Sequence, residues 1–191
     1  MTELSSGMLQ FARERRLNVS EVDLNELAGR IHSLSAPRFQ DKDVKLVLNL
    51  VDDLPSVRCD RELIHAVVMD LLSNSLDACS WKHYENGGIP EVKFSVRTAS
   101  HRGYVCIMVS DNGEGMTEEV KEKVFTPFFS TKKRKGTGMG LAVAGRIVAS
   151  HGGKITVESE PGQGAEFHVW IPIGGPGQGE EEGYVEESVS R

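Results

Sequence analysis

The sequence predicts an α/β protein of the α+β two-layer kind, a mixed β-sheet covered on one face by helices. Three observations carry that expectation. Apolar residues recur at helical spacing in some segments and alternate or run together over strand lengths in others. The order is helix, strand, helix, then strands and helices mixed, with no internal repeat. At 191 residues the chain is long enough for one ordinary domain with a real core and leaves little room for a second.

Each element follows from local pattern. Residues 4–16 form a short amphipathic stretch around Leu9 and Phe11, too small to fold alone. From Leu24 to Phe39 the spacing of Leu24, Leu27, Ile31 and Leu34 predicts a helix with one apolar stripe. Lys45 to Leu50 reads as a strand, closed by Asp52-Asp53-Leu54-Pro55. Asp60 is a suitable N-cap for a long helix whose apolar positions are Leu63, Ile64, Val67, Val68, Leu71, Leu72 and Ala78. Strands are expected from Glu91 to Thr98 and from Tyr104 to Ser110. An irregular, glycine-rich middle follows, and then a helix from Gly138 to Ser150, ended by Gly152-Gly153. Lys154 to Glu158 and Ala165 to Ile171 close the fold as a hairpin around Pro161-Gly162-Gln163-Gly164.

Composition removes several classes. The chain is 39% hydrophobic and 26% charged, the balance of a globular protein. No apolar run approaches a membrane span, and no signal peptide is visible at the N-terminus, so a cytoplasmic setting without membrane contact is expected of this fragment, whether or not its parent protein is membrane-anchored. A net charge of -6 argues against non-specific nucleic-acid binding. Cys59, Cys79 and Cys106 are widely spaced and include no Cys-x-x-Cys pair, as expected of reduced, packed thiols. The stretch from Gly174 to Arg191, rich in Gly and Glu, is too poor in large apolar groups to repay its ordering entropy. The opposite sign clusters at Lys132-Lys133-Arg134-Lys135.

Four segments carry chemistry. Asp70, Asn74 and Asp77 stand at i, i+4 and i+7 of the long helix, so their oxygens line one face. Asp and Asn are poor helix formers, and aligned in this way they suit a hard cation such as magnesium. Asp111-Asn112-Gly113-Glu114-Gly115-Met116 follows an apolar strand directly, and its glycines allow backbone to approach a ligand closely. Phe125-Thr126-Pro127-Phe128-Phe129-Ser130-Thr131, whose three phenylalanines around a proline read most simply as core packing, runs into the basic cluster. Finally, Gly136-Thr137-Gly138-Met139-Gly140-Leu141 opens a helix, where free N–H groups and the helix dipole favour an anion. It lacks the Lys-Ser/Thr ending of a P-loop.

In this order and spacing the four segments resemble the asparagine, first glycine, phenylalanine and second glycine boxes of the GHKL superfamily of gyrases, heat-shock chaperones, histidine kinases and mismatch-repair ATPases. Pro161-Gly162-Gln163-Gly164-Ala165-Glu166-Phe167 is similar to the last glycine box of the histidine-kinase branch. The short lid from Thr131 to Leu141 also resembles that branch, and Met8-Leu9-Gln10-Phe11-Ala12-Arg13 resembles the end of its second dimerisation helix. The resemblance implies the Bergerat ATP-binding fold and the catalytic domain of a two-component sensor histidine kinase, with ATP and Mg2+. It implies that Asp111 accepts a hydrogen bond from the adenine amino group, and that Gly113, Gly115 and Met116 close on the base with Phe125. It makes Asn74 the metal ligand, with Asp77 nearby. Gly136, Thr137, Gly138, Met139, Gly140 and Leu141 are expected around the phosphates, and Thr131, Lys132 and Lys133 at the terminal one. Asp70 is expected either to orient or deprotonate the nucleophile or to bind water on the metal.

Two departures stand out. The phosphoacceptor motif of such kinases is a His followed by an acidic residue. Here His32, His65, His83, His101, His151 and His168 precede Ser, Ala, Tyr, Arg, Gly and Val. The acceptor helix is therefore expected to lie outside the chain, which would bind ATP without phosphorylating itself. Asp77 stands where many members carry Lys near the phosphates. The expected organisation is a remnant of the dimerisation helix and linker over residues 1–20, the ATP-binding domain over 21–173 and an acidic tail over 174–191. The expected partners are a phosphoacceptor histidine domain, a response-regulator receiver domain and a second copy through the missing helices. A serine kinase of the anti-sigma-factor type and a nucleotide-binding module without transfer activity are the alternatives.

Overall fold

The computed structural model describes residues 16–84, 87–98, 103–131 and 136–177. The helix expected over residues 4–16 lies outside them up to residue 15, as does the acidic tail from residue 178. The elements in chain order are β1 (Ser20–Val22), α1 (Leu24–Gln40), β2 (Lys45–Leu50), β3 (Val57–Cys59), α2 (Arg61–Trp81), β4 (Glu91–Thr98), β5 (Tyr104–Asp111), α3 (Glu118–Lys123), α4 (Gly140–Ser150), β6 (Lys154–Glu160) and β7 (Gly164–Pro172).

Five strands form one mixed sheet in the order β2-β4-β5-β7-β6, and β1 pairs with β3 in a separate two-stranded ribbon. β2 and β4 are parallel, so the chain must cross over between them, and α2 makes that crossing. The remaining pairs are antiparallel. Alternation sorts the faces. Val92, Phe94 and Val96 of β4, Val105, Ile107 and Val109 of β5, and Phe167, Val169 and Ile171 of β7 point into the core under the helices. They meet Leu27 and Ile31 of α1 and Ile64, Val67, Val68, Leu71 and Leu72 of α2. Each such side chain contributes about 1.5–3 kcal/mol on burial, which fixes α2 rigidly against the sheet.

The helix starts are set by carboxylates. Asp23 accepts from the backbone N–H of Asn25 at 2.8 Å and Glu26 at 3.0 Å, and Asp60 accepts from that of Leu63 at 3.1 Å. Asp60 is also held from outside, since its own N–H donates to His151 Nε2 at 3.0 Å. His151 is fully buried and contacts the Ile147 carbonyl through Nδ1, so it joins the end of α4 to the start of α2.

Three sequence expectations are corrected. Leu34 is 63% exposed, because α1 buries Ser35 and Phe39 in its second half and turns Leu34 outward. The middle of the chain is not wholly irregular: α3 lies there, though it buries no residue. Phe128 does not join the core either. It is 62% exposed, at a φ of 67°. All three cysteines are buried, and desolvation pushes the Cys59 thiol up to about 12 and Cys106 to about 11, so both stay protonated at neutral pH.

Candidate functional site

The face of α2 not used for packing lines a cleft of about 680 Å3. Its floor is the end of β5 and the start of β7, at Asp111, Ala165 and Phe167, and its far wall is the N-terminus of α4. Asp70, Asn74, Asp77, Asp111, Gly115, Met116, Thr131, Gly136, Thr137, Gly138, Gly140 and Leu141, all singled out from sequence, line this one space. Three regions far apart in the chain thus converge. Gly113 and Met139 are buried just behind the lining, and Phe125 packs edge-on against Phe167 at 6.4 Å. Lys132 and Lys133 lie outside the described residues.

Asp111 is the most buried carboxylate lining the cleft. It is 7% exposed, and burial raises its pKa above the ordinary value of 3.8. The N–H of Gly113 donates to Oδ1 at 2.9 Å and opposes that rise, helped by the N–H of Ala165 and the charge of Lys82. Ser75 also favours the charged form, although its buried hydroxyl lacks a hydrogen bond of good geometry. With one oxygen satisfied from behind and the group on the cleft floor, the carboxylate is built to accept from a donor entering the cleft.

The loop after Asp111 is clamped from three sides. Asn112 Oδ1 accepts from the Glu91 N–H at 2.9 Å, and Asn112 Nδ2 donates to the Ile89 carbonyl at 2.8 Å. The Gly162 N–H donates to Glu114 O at 2.6 Å, and the Met116 N–H donates to Ser159 Oγ at 2.9 Å. Lys82 Nζ donates to the carbonyls of both Asn112 and Gly162, at 2.7 and 2.8 Å, joining the loop to the β6–β7 turn. A charged donor of this kind contributes about 1.5–3 kcal/mol, so Lys82→Met is expected to destabilise the fold by about 1–2 kcal/mol after its partial exposure is discounted. Urea unfolding with an unchanged m-value checks this; a midpoint equal to that of the wild type would refute it.

At the other end of the cleft, Met139 precedes α4 without a side-chain cap of its own, and the first N–H groups of a helix have no partner within the helix itself. Asp70 stands beside them: a Cβ added at Gly140 would lie 3.4 Å from its Oδ2. The Phe128 N–H donates to Gly138 O at 2.9 Å and closes the base of the loop between them. Gly138, at a φ of +66°, must be glycine, since a Cβ there would sit 2.7 Å from the carbonyl oxygens of both Phe128 and Phe129.

Sequence reasoning missed several lining residues. Trp81 stands four residues after Asp77 on the same helical face, so extending the i, i+4 stripe would have found it. Ser75 is next to Asn74 and has no pattern of its own. Arg38 and Lys42 belong to α1 and the turn after it, outside any motif.

Residues 59–175 match the family model of histidine kinase-, DNA gyrase B-, and HSP90-like ATPases. The alginate biosynthesis sensor protein KinB of Pseudomonas aeruginosa is 34% identical over 175 residues, covering 89% of this chain and 28% of that protein. The sensor histidine kinase ZraS of Escherichia coli (strain K12) is 31% identical over 173 residues, covering 91% of this chain and 35% of that protein. The chain therefore spans about a third of the length of these curated relatives. Among solved structures, full-length ShkA in complex with AMPPNP superposes with a TM-score of 0.78 at 26% identity, over 90% of this chain and 35% of that one. Histidine kinase ThkA in complex with the response regulator protein TrrA gives 0.72 at 27% identity, over 89% and 46%.

Proposed function

This chain belongs to the histidine kinase-, DNA gyrase B-, and HSP90-like ATPase family, as an ATP-binding catalytic domain of the sensor histidine kinase kind, and we propose that it transfers the γ-phosphate of ATP to a histidine on a separate phosphoacceptor domain. The observation that carries the reading is the buried Asp111 carboxylate at one end of a cleft whose other end is an uncapped helix N-terminus. One end suits a base with an exocyclic amine, the other a polyphosphate.

Asp111 accepts from the adenine amino group, and the keto oxygen of guanine at the same place would be repelled. Gly113 and Gly115 let the backbone close on the base, with Met116 beside it. The N–H groups at Gly138, Gly140 and Leu141 take the phosphates. Lys132, Lys133 and Thr131 belong to the same lid sequence and meet the terminal one. Asp70, at the phosphate end, orients the attacking imidazole. Transfer of this kind demands positioning and charge neutralisation more than covalent chemistry from the protein.

The donors present fit magnesium. Asn74 and Asp70 offer oxygens, and no group of three His, Cys, Asp or Glu side chains among the described residues could cage a metal unaided. That suits an ion that takes few protein ligands and completes its shell with water and phosphate oxygens. When bound, it would neutralise charge on the transferring phosphoryl group.

The acceptor histidine would lie on a neighbouring domain of the parent kinase, which pairs with a second copy through its helices, and a response-regulator receiver domain would take the phosphoryl group onward. A structural neighbour solved in complex with a response regulator protein supports that last partnership. No helix among the described residues is long and apolar enough to cross a membrane.

The test is calorimetric titration with ATP and magnesium, followed by incubation with radiolabelled ATP and a separately expressed acceptor domain. Label on the acceptor's histidine supports the reading; no binding to the chain sinks it. Trp81 supplies a second readout. It lines the cleft at 49% exposure, whereas Trp170 is on the opposite sheet face against His168. ATP is expected to change tryptophan emission in the wild type and in Trp170→Phe, and not in Trp81→Phe. A response that survives Trp81→Phe would place the nucleotide elsewhere.

A further inference from the structure

Two cations line the cleft that no motif accounts for, Arg38 and Lys42. Their level along the cleft follows from two contacts between α1 and α2. Arg61 Nη2 meets Glu26 Oε1 at 2.7 Å, and the Ser35 hydroxyl donates to Met69 Sδ at 3.5 Å. The partners are 35 and 34 residues apart, so the two helices lie side by side and run in the same direction at a nearly constant offset. Continuing that offset sets Arg38 level with Ser73 and Lys42, in the turn just past α1, level with Asp77. Ser73 and Asp77 line the cleft as well. The two cations therefore flank the stretch of α2 that carries Asn74 and Asp77.

Charge makes this placement meaningful. The α2 face presents Asp70 and Asp77 to the cleft, a poor surface for a ligand with several negative charges. Neither Arg38 nor Lys42 forms an ion pair with any described residue, and both are exposed enough to turn inward. We infer that Arg38 and Lys42 form a cationic flank of the nucleotide site, contacting the phosphate chain of ATP from the α1 side and offsetting the carboxylate at Asp77. This rests on the ATP-binding reading above. It assigns α1, outside the motifs, a direct part in holding the triphosphate.

Three titrations of the full chain test it, with ATP, ADP and adenosine. In Arg38→Gln/Lys42→Gln, ATP affinity is expected to fall about tenfold, two partly exposed charge contacts being lost, and ADP affinity by less. Adenosine affinity is expected to stay within twofold. Raising salt should weaken ATP binding more in the wild type than in the variant. Adding Asp77→Lys to the double variant sets a cation at the same level from α2 and is expected to restore most of the loss. Unchanged ATP affinity in the double variant overturns the inference. So does an equal loss for ATP and adenosine, which would mean that the substitutions act through the fold. Wild-type chain that binds neither ATP nor adenosine would instead sink the function proposed above, and the inference with it.

Discussion

Asp111→Asn is expected to lower ATP affinity at least tenfold while leaving the chain folded. The amide keeps the size of the carboxylate, and its oxygen can still accept the Gly113 N–H, now at 2.9 Å from Oδ1. What changes is the atom turned to the cleft: an amide nitrogen set against the adenine amine opposes donor to donor. Losing a hydrogen bond to a charged acceptor costs about 1.5–3 kcal/mol, and a buried mismatch adds to that. Acid should mimic the substitution. Burial raises the pKa of Asp111 above 3.8, so the folded chain takes up this proton before the unfolded chain does. Lowering the pH through the folded pKa therefore favours the folded state at this group while it abolishes the acceptor. ATP affinity in the wild type should fall in mild acid above pH 3.8 with no loss of structure. The acid-dependent step should be missing in Asp111→Asn, where no proton is left to gain. Calorimetry across pH, paired with circular dichroism, reads both quantities. Equal ATP affinity for the two proteins at neutral pH would remove Asp111 from the adenine site.

The carboxylates and Asn74 of this site were legible because they sit on regular elements. Asp70, Asn74 and Asp77 announce themselves by helical spacing, and Asp111 by ending an apolar strand whose alternation fixes which way it points. The unreadable parts depend on distant pairings. β1 and β3 have three residues each, too few to show alternation, and exist only because Ser20–Val22 meets Val57–Cys59. α3 buries nothing and so carries no apolar stripe. Arg38 and Lys42 look like ordinary surface charge until the parallel register of α1 and α2 sets them beside Ser73 and Asp77. Ser75, one residue from Asn74, is turned toward Asp111 instead, a distinction that needs the sheet beneath the helix.

Two glycines of the β6–β7 turn should separate fold from site. Both have positive φ, +79° at Gly162 and +90° at Gly164. At Gly162 an added methyl would meet open space, so Gly162→Ala carries only the backbone strain, about 1–2 kcal/mol. Its N–H to Glu114 and its carbonyl to Lys82 are backbone groups that survive the change, and ATP affinity should hold. At Gly164 the same methyl would overlap the Asp111 carbonyl and stand 2.8 Å from Asn112 Cα. No flexible side chain is there to give way, so relief requires β5 and β7 to part where Asp111 pairs with Ala165. Gly164→Ala is therefore expected to cost about 3 kcal/mol or more, well beyond the strain alone. What remains folded should bind ATP poorly, since the strand end that moves carries the acceptor. Urea unfolding and ATP titration of the two variants side by side decide the matter. If Gly164→Ala matched Gly162→Ala in both, the position of Asp111 would not depend on close strand contact. A loss of both stability and affinity at Gly164 alone would mean that the last glycine of this hairpin, remote from the phosphates, belongs to the adenine pocket by steric necessity.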